Sequence, residues 1–279
     1  MNPTDPKAGS SPTTLVTGSS GIVGRRVIAE LRSRGQVARP ASRSATPPFE
    51  LTDPSTWGAC LTGVHRLVLI SPEGVPVHPD FLAAAADSGV ERVTLLSDKG
   101  VEVIRVERLL AAEQLVKDSG LQWSIVRPDW FDQNFDESFF QPGIMAGEVA
   151  VPIGEVRQGF VDAHDIAAVL VETLGDADHL GRTYVLTGPE ALSFPEALGV
   201  IGHASGRTVQ FRGDADTYRR GQLSFGADPG QVQRELDNFA RLAALGDAAP
   251  TGDVERVLGR PATAFETYAT RAAAGGAWR

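Results

Sequence analysis

The stretch TGSSGIVG, residues 17–24, decides the fold. It ends the short β-branched run TTLVTG and leads into IVGRRVIAEL, where apolar residues recur on one face of a helix. A glycine-rich turn at a helix N-terminus presents unpaired backbone N–H groups and the helix dipole to a pyrophosphate. The glycines Gly18, Gly21 and Gly24 are spaced G-x-x-G-x-x-G, and no G-K-[ST] follows, which excludes a Walker A loop. We therefore predict a nucleotide site here.

Outward from this loop, short β-rich runs alternate with helix-period segments, which is typical of a parallel sheet with helices on both faces. Several predicted helices end in glycine, as in SRGQV, DSGVE and DSGLQ. The predicted strands are residues 14–17, 36–39, 66–70, 92–96 and 122–127. The predicted helices are residues 22–34, 54–61, 79–88 and 103–119. The predicted fold class is α/β, a Rossmann-type doubly wound parallel sheet with a smaller, mostly helical C-terminal substrate lobe.

The end of the second predicted strand selects the dinucleotide. An acidic residue there would accept the ribose 2′-hydroxyl of NAD, whereas arginine would bind the 2′-phosphate of NADP. The chain has no Asp or Glu between positions 31 and 49 and reads VARPASRS, which offers Arg39 and Arg43. Arginine holds phosphate with a planar fork of donors. The cluster predicts NADP(H) as the cofactor, and a solvated basic loop is the alternative.

Beyond Pro128 the alternation loosens, because DWFDQNFDESFFQPG is aromatic and acidic without a clean period. FVDAHDIAAVLVETL indicates a capped helix, RTYVLTG indicates a further strand, and helical patterns predominate from Ser193 onward. We expect residues 1–12 to form a disordered tail without the apolar segment of a secretory signal. We expect residues 13–130, completed by residues 159–188, to form an NADP-binding Rossmann domain. We expect residues 131–158 and 189–279 to form a substrate-binding lobe.

Composition limits the classes of partner. The net charge of -9 disfavours nucleic acid as the main partner, and no apolar run approaches the roughly 20 residues of a membrane helix. The single cysteine, Cys60, excludes an internal disulfide, and the five histidines have no metal-ligand spacing. We expect a cytoplasmic monomer or homodimer that binds a small molecule, with no metal, nucleic-acid or membrane partner.

The sequence resembles the NmrA-like atypical short-chain dehydrogenases, particularly those similar to triphenylmethane reductase and NADPH-quinone reductase. The resemblance begins at Thr13 and extends nearly to the C-terminus through TGSSGIVG, RPASR, SIVRPDWFDQNF and FVDAHDIAAVLVETL with GRTYVLTGPEALSFPEAL. It implies a cofactor site that follows the carboxyl ends of successive strands, from the pyrophosphate loop to the nicotinamide. The implied cofactor-binding residues are Gly18, Ser19, Ser20, Gly21, Ile22, Val23, Arg39, Arg43, Asp53, Ile70, Ser71, Ser97, Asp98, Lys99 and Pro128.

The usual catalytic pair of short-chain dehydrogenases is absent. In Tyr-x-x-x-Lys the lysine lowers the tyrosine pKa, so that the tyrosine can protonate the developing alkoxide. Alignment on Glu113 places Arg105 at the tyrosine position and Leu109 at the lysine position. Hydride transfer to a quinone, iminium or enone acceptor does not need an acid at the same step. We therefore predict an NADPH-dependent reductase of conjugated or cationic acceptors, including polycyclic natural-product intermediates, in which the protein orients the reactants.

The residues after Pro128 are predicted to form the substrate cleft. Trp130, Phe131 and Phe135 would suit a flat aromatic ligand, and the alternative is plain core packing. Lys99 and Asp129 are the candidate catalytic residues, although a lysine in a turn is commonly a surface residue.

Two other functions remain open. One is a redox-sensing regulator that binds the dinucleotide and a partner protein without turnover. The other is a non-redox tailoring enzyme, an isomerase or cyclase, with Asp129, Asp132 or Asp136 as the base.

Overall fold

The computed structural model describes residues 12–279, so residues 1–11 of the predicted tail lie outside the described residues. The strands are β1 (Thr13–Val16), β2 (Val37–Pro40), β3 (Arg66–Ile70), β4 (Arg92–Leu96), β5 (Gln122–Pro128), β6 (Glu148–Ala150), β7 (Arg182–Leu186) and β8 (Gln210–Arg212). The main sheet is parallel throughout, in the order β2-β1-β3-β4-β5-β7, and β6 pairs with β8 in a separate parallel ribbon. Each of the predicted strands is present, shifted by at most one residue at either end.

The helices connect the strands and continue into the C-terminal part of the chain. They are α1 (Ile22–Ser33), α2 (Trp57–Leu61), α3 (Phe81–Asp87), α4 (Glu107–Asp118), α5 (Gln141–Ala146), α6 (Ala163–Gly175), α7 (Phe194–Ser205), α8 (Ala215–Ser224), α9 (Pro229–Ala244), α10 (Asp253–Leu258) and α11 (Phe265–Ala274). The helix predicted from residue 103 begins only at Glu107, because Arg105 has a φ of 53°, which a right-handed helix does not allow. In the described part of the chain, no helix has the length and apolar character that crossing a membrane requires.

Three apolar cores organise the molecule. On one face of the sheet, α2, α3 and α4 bury residues such as Phe81 and Leu95. On the other face, α1 packs along α6 and buries Val27 and Ile166. The third core lies beside the sheet, where α7, α11 and the chain after β5 enclose Phe135. The fold class is therefore the Rossmann-type α/β arrangement with a helical C-terminal region, as predicted.

Candidate functional site

The phosphate loop, residues 17–24, is held by close backbone contacts at the carboxyl end of β1. The Thr17 hydroxyl donates to the Ile70 carbonyl at 2.9 Å and accepts from the Ile70 N–H at 2.8 Å. Gly18 has a φ of 59°, and a Cβ there would lie 3.0 Å from Ile70 Cγ2. A Cβ at Gly24 would lie 2.8 Å from Ser19 Cα. The first glycine is therefore required by its backbone conformation and by close packing, and the third glycine by close packing.

The N-terminus of α1 carries no competing group. Gly21 occupies the N-cap without a side-chain hydrogen bond, and the first turn has no acidic residue. The first N–H groups of a helix have no partner within the helix, so they remain available to an anion. Val23 is buried behind the loop, whereas Ser20 is exposed. A pyrophosphate fits this donor set, and these residues would hold it.

The two arginines after β2 are placed differently. Arg39 Nη1 donates to the carbonyl oxygens of Cys60 at 2.8 Å and Thr62 at 2.6 Å, which ties it to the end of α2. Arg43 is exposed and makes no hydrogen bond or ion pair through its side chain with any residue in the range 12–279. Both lie on the side of the sheet where a 2′-phosphate would be bound, but only Arg43 has its whole guanidinium free.

The next predicted contacts have structural partners of their own. Asp53 accepts hydrogen bonds from the Ser55 hydroxyl at 2.7 Å and N–H at 3.0 Å, which lower the pKa of its carboxyl and cap a short 3₁₀ turn. The Ser71 hydroxyl donates to the carbonyl oxygen of Val75. Ile70 and Ser71 are half-buried at the carboxyl end of β3. A contact between Asp53 and the cofactor remains a prediction.

The two candidate catalytic residues form one ion pair. Lys99, after β4, places Nζ 2.6 Å from Oδ2 of Asp129, which follows β5. The same oxygen accepts the Gly159 N–H at 3.0 Å, and Oδ1 accepts the Trp130 N–H at 3.0 Å. The Lys99 side chain is 30% exposed and that of Asp129 is 9% exposed. A fixed carboxylate therefore holds an accessible ammonium at the carboxyl edge of the sheet.

Asp98 adds a titratable group to this edge. Burial raises the pKa of its carboxyl to about 6, and the nearby negative charge of Asp129 adds to the rise. The Gly100 N–H, which donates to Asp98 Oδ1 at 2.6 Å, and the cations of Arg108 and Lys99 oppose it. Asp98 therefore changes charge just below neutral pH.

A polar network beneath this edge was not anticipated from the sequence. Arg127 holds the buried carboxylate of Glu113 with two hydrogen bonds, of 2.8 and 2.7 Å, and pairs with Glu102 at 2.9 Å. The Ser97 hydroxyl donates to the same carboxylate at 2.6 Å. Burial alone would raise the pKa of Glu113, but these hydrogen bonds lower it. Because the Ser97 hydroxyl proton is donated to Glu113, this hydroxyl could contact a cofactor only as an acceptor.

The predicted aromatic cleft divides into core and surface residues. Phe135 has no exposed area and contacts the rings of Phe160, Phe194 and Phe265, so its observed role is packing in the third core. Trp130 is half-buried and lies parallel to the Phe239 ring of α9, with centroids 6.3 Å apart.

Phe131 is also half-buried, and its backbone bridges to Val161 while its side chain packs against the core beneath α6. Pro128 is buried in the last position of β5. Of the residues predicted to bind substrate, Trp130 and Phe131 thus retain exposed surface.

The positions aligned with the missing catalytic pair cannot replace it. Arg105 precedes α4 with a 75% exposed side chain, and Leu109 is buried. Each tyrosine hydroxyl is engaged elsewhere. Tyr184 bonds His179 at 2.7 Å, and Tyr218 and Tyr268 donate to carboxylates at 2.8 and 2.9 Å.

The carboxylates after β5 have contrasting surroundings. Asp136 accepts the Tyr268 hydroxyl, whereas Asp132 is completely buried and neither of its oxygens has a hydrogen-bond partner among residues 12–279. Burial raises the pKa of Asp132 well above its ordinary value, and the charges of Asp162 and Asp165 raise it further. A buried acid without access to solvent is a poor candidate for a catalytic base. Over the described residues, no group of His, Cys, Asp and Glu is arranged to hold a metal ion.

The glycine cradle at the end of β1, in a doubly wound sheet, defines a dinucleotide-binding protein. The chain belongs to the NAD(P)H-binding family, whose model matches residues 18–177. Several similar proteins are named as reductases or oxidoreductases, and the predicted assignment to an NAD(P)H-dependent oxidoreductase family is confirmed.

Two relatives illustrate the range of this family. The (4-alkanoyl-5-oxo-2,5-dihydrofuran-3-yl)methyl phosphate reductase of Streptomyces griseus is 31% identical over 91% of this chain and 95% of its own. Prestalk A differentiation protein A of Dictyostelium discoideum is 30% identical over 91% of this chain and 90% of its own.

Solved structures share the fold at lower identity. The NADPH complex of an Escherichia coli NADPH-dependent quinone oxidoreductase has a TM-score of 0.78 and 20% identity, covering 92% of this chain and 99% of that one. The NADP(H) complex of Citrobacter sp. triphenylmethane reductase has a TM-score of 0.74 and 16% identity, covering 94% and 99%. The resemblance to these two groups is confirmed at the level of the fold.

Proposed function

We propose that the protein is an NADP(H)-dependent reductase that transfers hydride to a conjugated or cationic acceptor of the quinone, iminium or enone type. The observation that carries this proposal is the arrangement along one edge of the sheet. The phosphate loop lies at β1, the free guanidinium of Arg43 follows β2, and the Lys99–Asp129 pair with Trp130 follows β4 and β5. A single extended dinucleotide would run between these groups.

The direction of the cofactor follows from the strand order. A 2′-phosphate on Arg43 places the adenosine half over β2 and β1, so the nicotinamide half extends the other way, over β3 and β4. Adjacent strands are about 4.8 Å apart, so β4 lies roughly 10 Å from β1. When bound, NADPH supplies the hydride, and the residues after β4 and β5 would orient the acceptor beside it.

The type of acceptor is inferred from what surrounds this edge. Tyr218 is the tyrosine whose ring contacts Phe239 of α9, the helix beside this edge. Its hydroxyl donates to Glu235, so it is not free to protonate an alkoxide. A conjugated or cationic acceptor does not need that group during hydride transfer. The name of the Streptomyces relative specifies a substrate with a carbonyl in an unsaturated ring, which is an acceptor of this kind.

The test is NADPH oxidation, followed at the nicotinamide absorbance band, with a panel of one quinone, one cyclic enone, one cationic triarylmethane dye and one cyclic imine. We expect oxidation with at least one acceptor, and a kcat/KM for NADPH at least about tenfold above that for NADH, equivalent to about 1.4 kcal/mol. Gly24→Ala is the loss-of-binding reference. Tight NADPH binding without oxidation of any acceptor would contradict the proposal.

A regulatory function is the second candidate, and the observation that favours it is the name of the Dictyostelium relative, a differentiation protein. A sensor would bind NADP(H) and change its affinity for a partner protein without consuming the cofactor. The same acceptor panel separates the two functions, because only a reductase oxidises NADPH in proportion to the acceptor added.

A further inference from the structure

We propose that Lys99, held in place by Asp129, is the proton donor of the reaction, and that the physiological acceptor is a neutral conjugated carbonyl whose oxygen becomes negatively charged when hydride is added. This inference rests on the proposed reductase function. It narrows the acceptor from the broader class to quinones and enones, for which an ammonium at the oxygen is useful.

The first support is the precision with which the ammonium is held. Asp129 accepts from three donors at once, the Lys99 ammonium and the N–H groups of Gly159 and Trp130. A Cβ at Gly159 would lie 3.0 Å from Asp129 Oδ2, so glycine lets that N–H come close. The Lys99 N–H also donates to the Pro128 carbonyl at 3.0 Å, which fixes the loops after β4 and β5 relative to each other. Such preorganisation makes an electrostatic group effective at a transition state.

The second support is that few other groups at this edge can give up a proton. The arginines near it, Arg105 and Arg108, stay charged at all working pH values. Between residues 12 and 279 the other lysine is Lys117, which pairs with Glu113 at 3.5 Å near the C-terminal end of α4. Among the acids, Asp129 is paired with Lys99 and Glu113 with Arg127. This leaves Asp98, whose carboxylate accepts the Gly100 N–H at 2.6 Å. The choice at this edge is therefore between Lys99 and Asp98.

The third support is the cover provided by α9. Phe239 lies parallel to Trp130, and Leu242 approaches Gly100 so closely that a Cβ there would lie 3.4 Å from its Cδ2. This helix therefore lies over the loops that carry Lys99 and Asp129. This partial cover lowers the local dielectric and so strengthens the interaction between the ammonium and a developing oxyanion, while the 30% exposed side chain of Lys99 can still exchange protons with solvent.

With an enone, hydride addition and proton transfer take place at the two ends of one conjugated system. The β-carbon gains a hydride with its electron pair, the carbon–carbon π electrons shift, and the carbonyl oxygen becomes an enolate oxygen. One N–H bond of the Lys99 ammonium breaks and an O–H bond forms, leaving a neutral amine and an enol that tautomerises to the saturated ketone. NADPH, when bound, would supply the hydride by breaking one of its C4–H bonds and would become NADP⁺. The Lys99 amine would regain its proton from solvent through the exposed part of its side chain.

The test compares Lys99→Met with Lys117→Met, a matched lysine that also pairs with a carboxylate but lies outside the site. With a quinone or enone, we expect kcat of Lys99→Met to fall by about 10² to 10⁴, the usual contribution of a general acid. With a cationic dye, which is neutralised by hydride, we expect a fall of less than about threefold, because no proton is required. Lys117→Met should retain wild-type kcat with both acceptors and an NADPH Kd, measured by cofactor fluorescence, within about twofold of the wild-type value. The same measurement on Lys99→Met sets the saturating NADPH concentration at which its kcat is compared.

Three further measurements separate the possible roles. Added methylamine should restore part of the enone activity of Lys99→Ala, whereas Lys99→Arg, which keeps the charge but cannot release a proton, should remain slow. In Asp98→Asn, the ratio of kcat for the enone to kcat for the cationic dye should stay at the wild-type value if Lys99 is the donor and should fall if Asp98 is.

Equal loss with both acceptor classes, or full activity of Lys99→Met on enones, would overturn the assignment while leaving the reductase function intact. A wild-type protein that oxidises NADPH with none of the acceptors would overturn both.

Discussion

The two ends of the proposed cofactor site, at the carboxyl edge of the sheet, are built in different ways. The phosphate loop, residues 17–24, is formed within one strand–turn–helix unit, and its shape depends on glycine backbone packed against the end of β3. The far end, where Lys99 meets Asp129, is assembled from β4, β5, α4, α9 and the chain before α6. One end is a local backbone structure and the other is a side-chain network of distant segments. Substitutions at the two ends should therefore fail for different reasons.

The largest effect is expected at the far end, in Arg127→Met. The substitution leaves the buried Glu113 carboxylate without its two strongest hydrogen bonds, so the free energy of unfolding should fall by about 3–5 kcal/mol. Urea denaturation measures this difference. Arg105→Met, at a 75% exposed arginine, is the control and should change it by less than about 0.5 kcal/mol. A small loss in Arg127→Met would mean that this end does not depend on its network.

Gly24→Ala tests the phosphate loop. Its Cβ would overlap the backbone of Gly18 and Ser19, so the loop must shift, at a cost of about 1–3 kcal/mol in the free energy of unfolding. NADPH affinity should fall by more than about tenfold, because the N–H groups lose their alignment. Gly58→Ala in α2, where a Cβ has open space, is the matched control and should keep both properties. Calorimetric titration and thermal unfolding report the two effects, and an unchanged NADPH Kd would contradict the predicted site.

Asp132→Asn tests a buried carboxyl group that has no hydrogen-bond partner among residues 12–279, unlike Glu113, which is held by Arg127. The pKa of Asp132 is raised in the folded protein, so the native state keeps a proton that the unfolded chain releases above about pH 4. Wild-type stability should therefore fall relative to Asp132→Asn as pH rises above that value, by up to about 1.4 kcal/mol per pH unit. Urea unfolding at a series of pH values measures the difference, with the exposed Asp87→Asn as control. Parallel stability curves for wild type and Asp132→Asn would show that this carboxyl titrates normally.

Arg43→Ser tests the choice of cofactor. The Kd for NADPH should rise by about tenfold, near 1.4 kcal/mol, while the Kd for NADH stays unchanged, because only NADPH carries the 2′-phosphate. Arg39→Ser should weaken NADPH binding less, since that guanidinium already donates to the carbonyls of Cys60 and Thr62. Arg32→Ser, on the exposed side of α1, serves as control. Equal weakening of NADPH and NADH in Arg43→Ser would contradict 2′-phosphate recognition.

The smallest effect is expected for Phe239→Ala. Loss of the ring parallel to Trp130 should raise the KM of a flat acceptor by about 2- to 10-fold, corresponding to about 0.5–1.5 kcal/mol for an aromatic pair. The NADPH Kd should not change. Phe225→Ala, at an 88% exposed ring in the turn between α8 and α9, is the control. Steady-state kinetics with a quinone distinguishes the two variants, and identical KM values would place the acceptor away from α9.

Local patterns predicted most of the sheet and its helices, and the exceptions have physical causes. The helix before β5 starts later than its apolar pattern suggested, because the backbone at Arg105 is left-handed. Phe135 could not be distinguished from a cleft residue, because an aromatic side chain serves a core and a binding surface equally well. The hydrogen bonds from Arg39 to the carbonyl oxygens of Cys60 and Thr62 could not be predicted either, because these acceptors lie more than twenty residues away in the chain.

The sequence by itself determined the nucleotide end, because the spacing of Gly18, Gly21 and Gly24 and the strand and helix beside them encode a local backbone conformation. Only the tertiary structure decided the other end. Lys99 and Asp129 are separate candidates in the sequence, and parallel strand pairing brings them within 2.6 Å. The physical reason is the separation of the interacting residues along the chain. The conformation of a turn depends on neighbouring residues, whereas an ion pair between two strands depends on which distant segments the fold brings together.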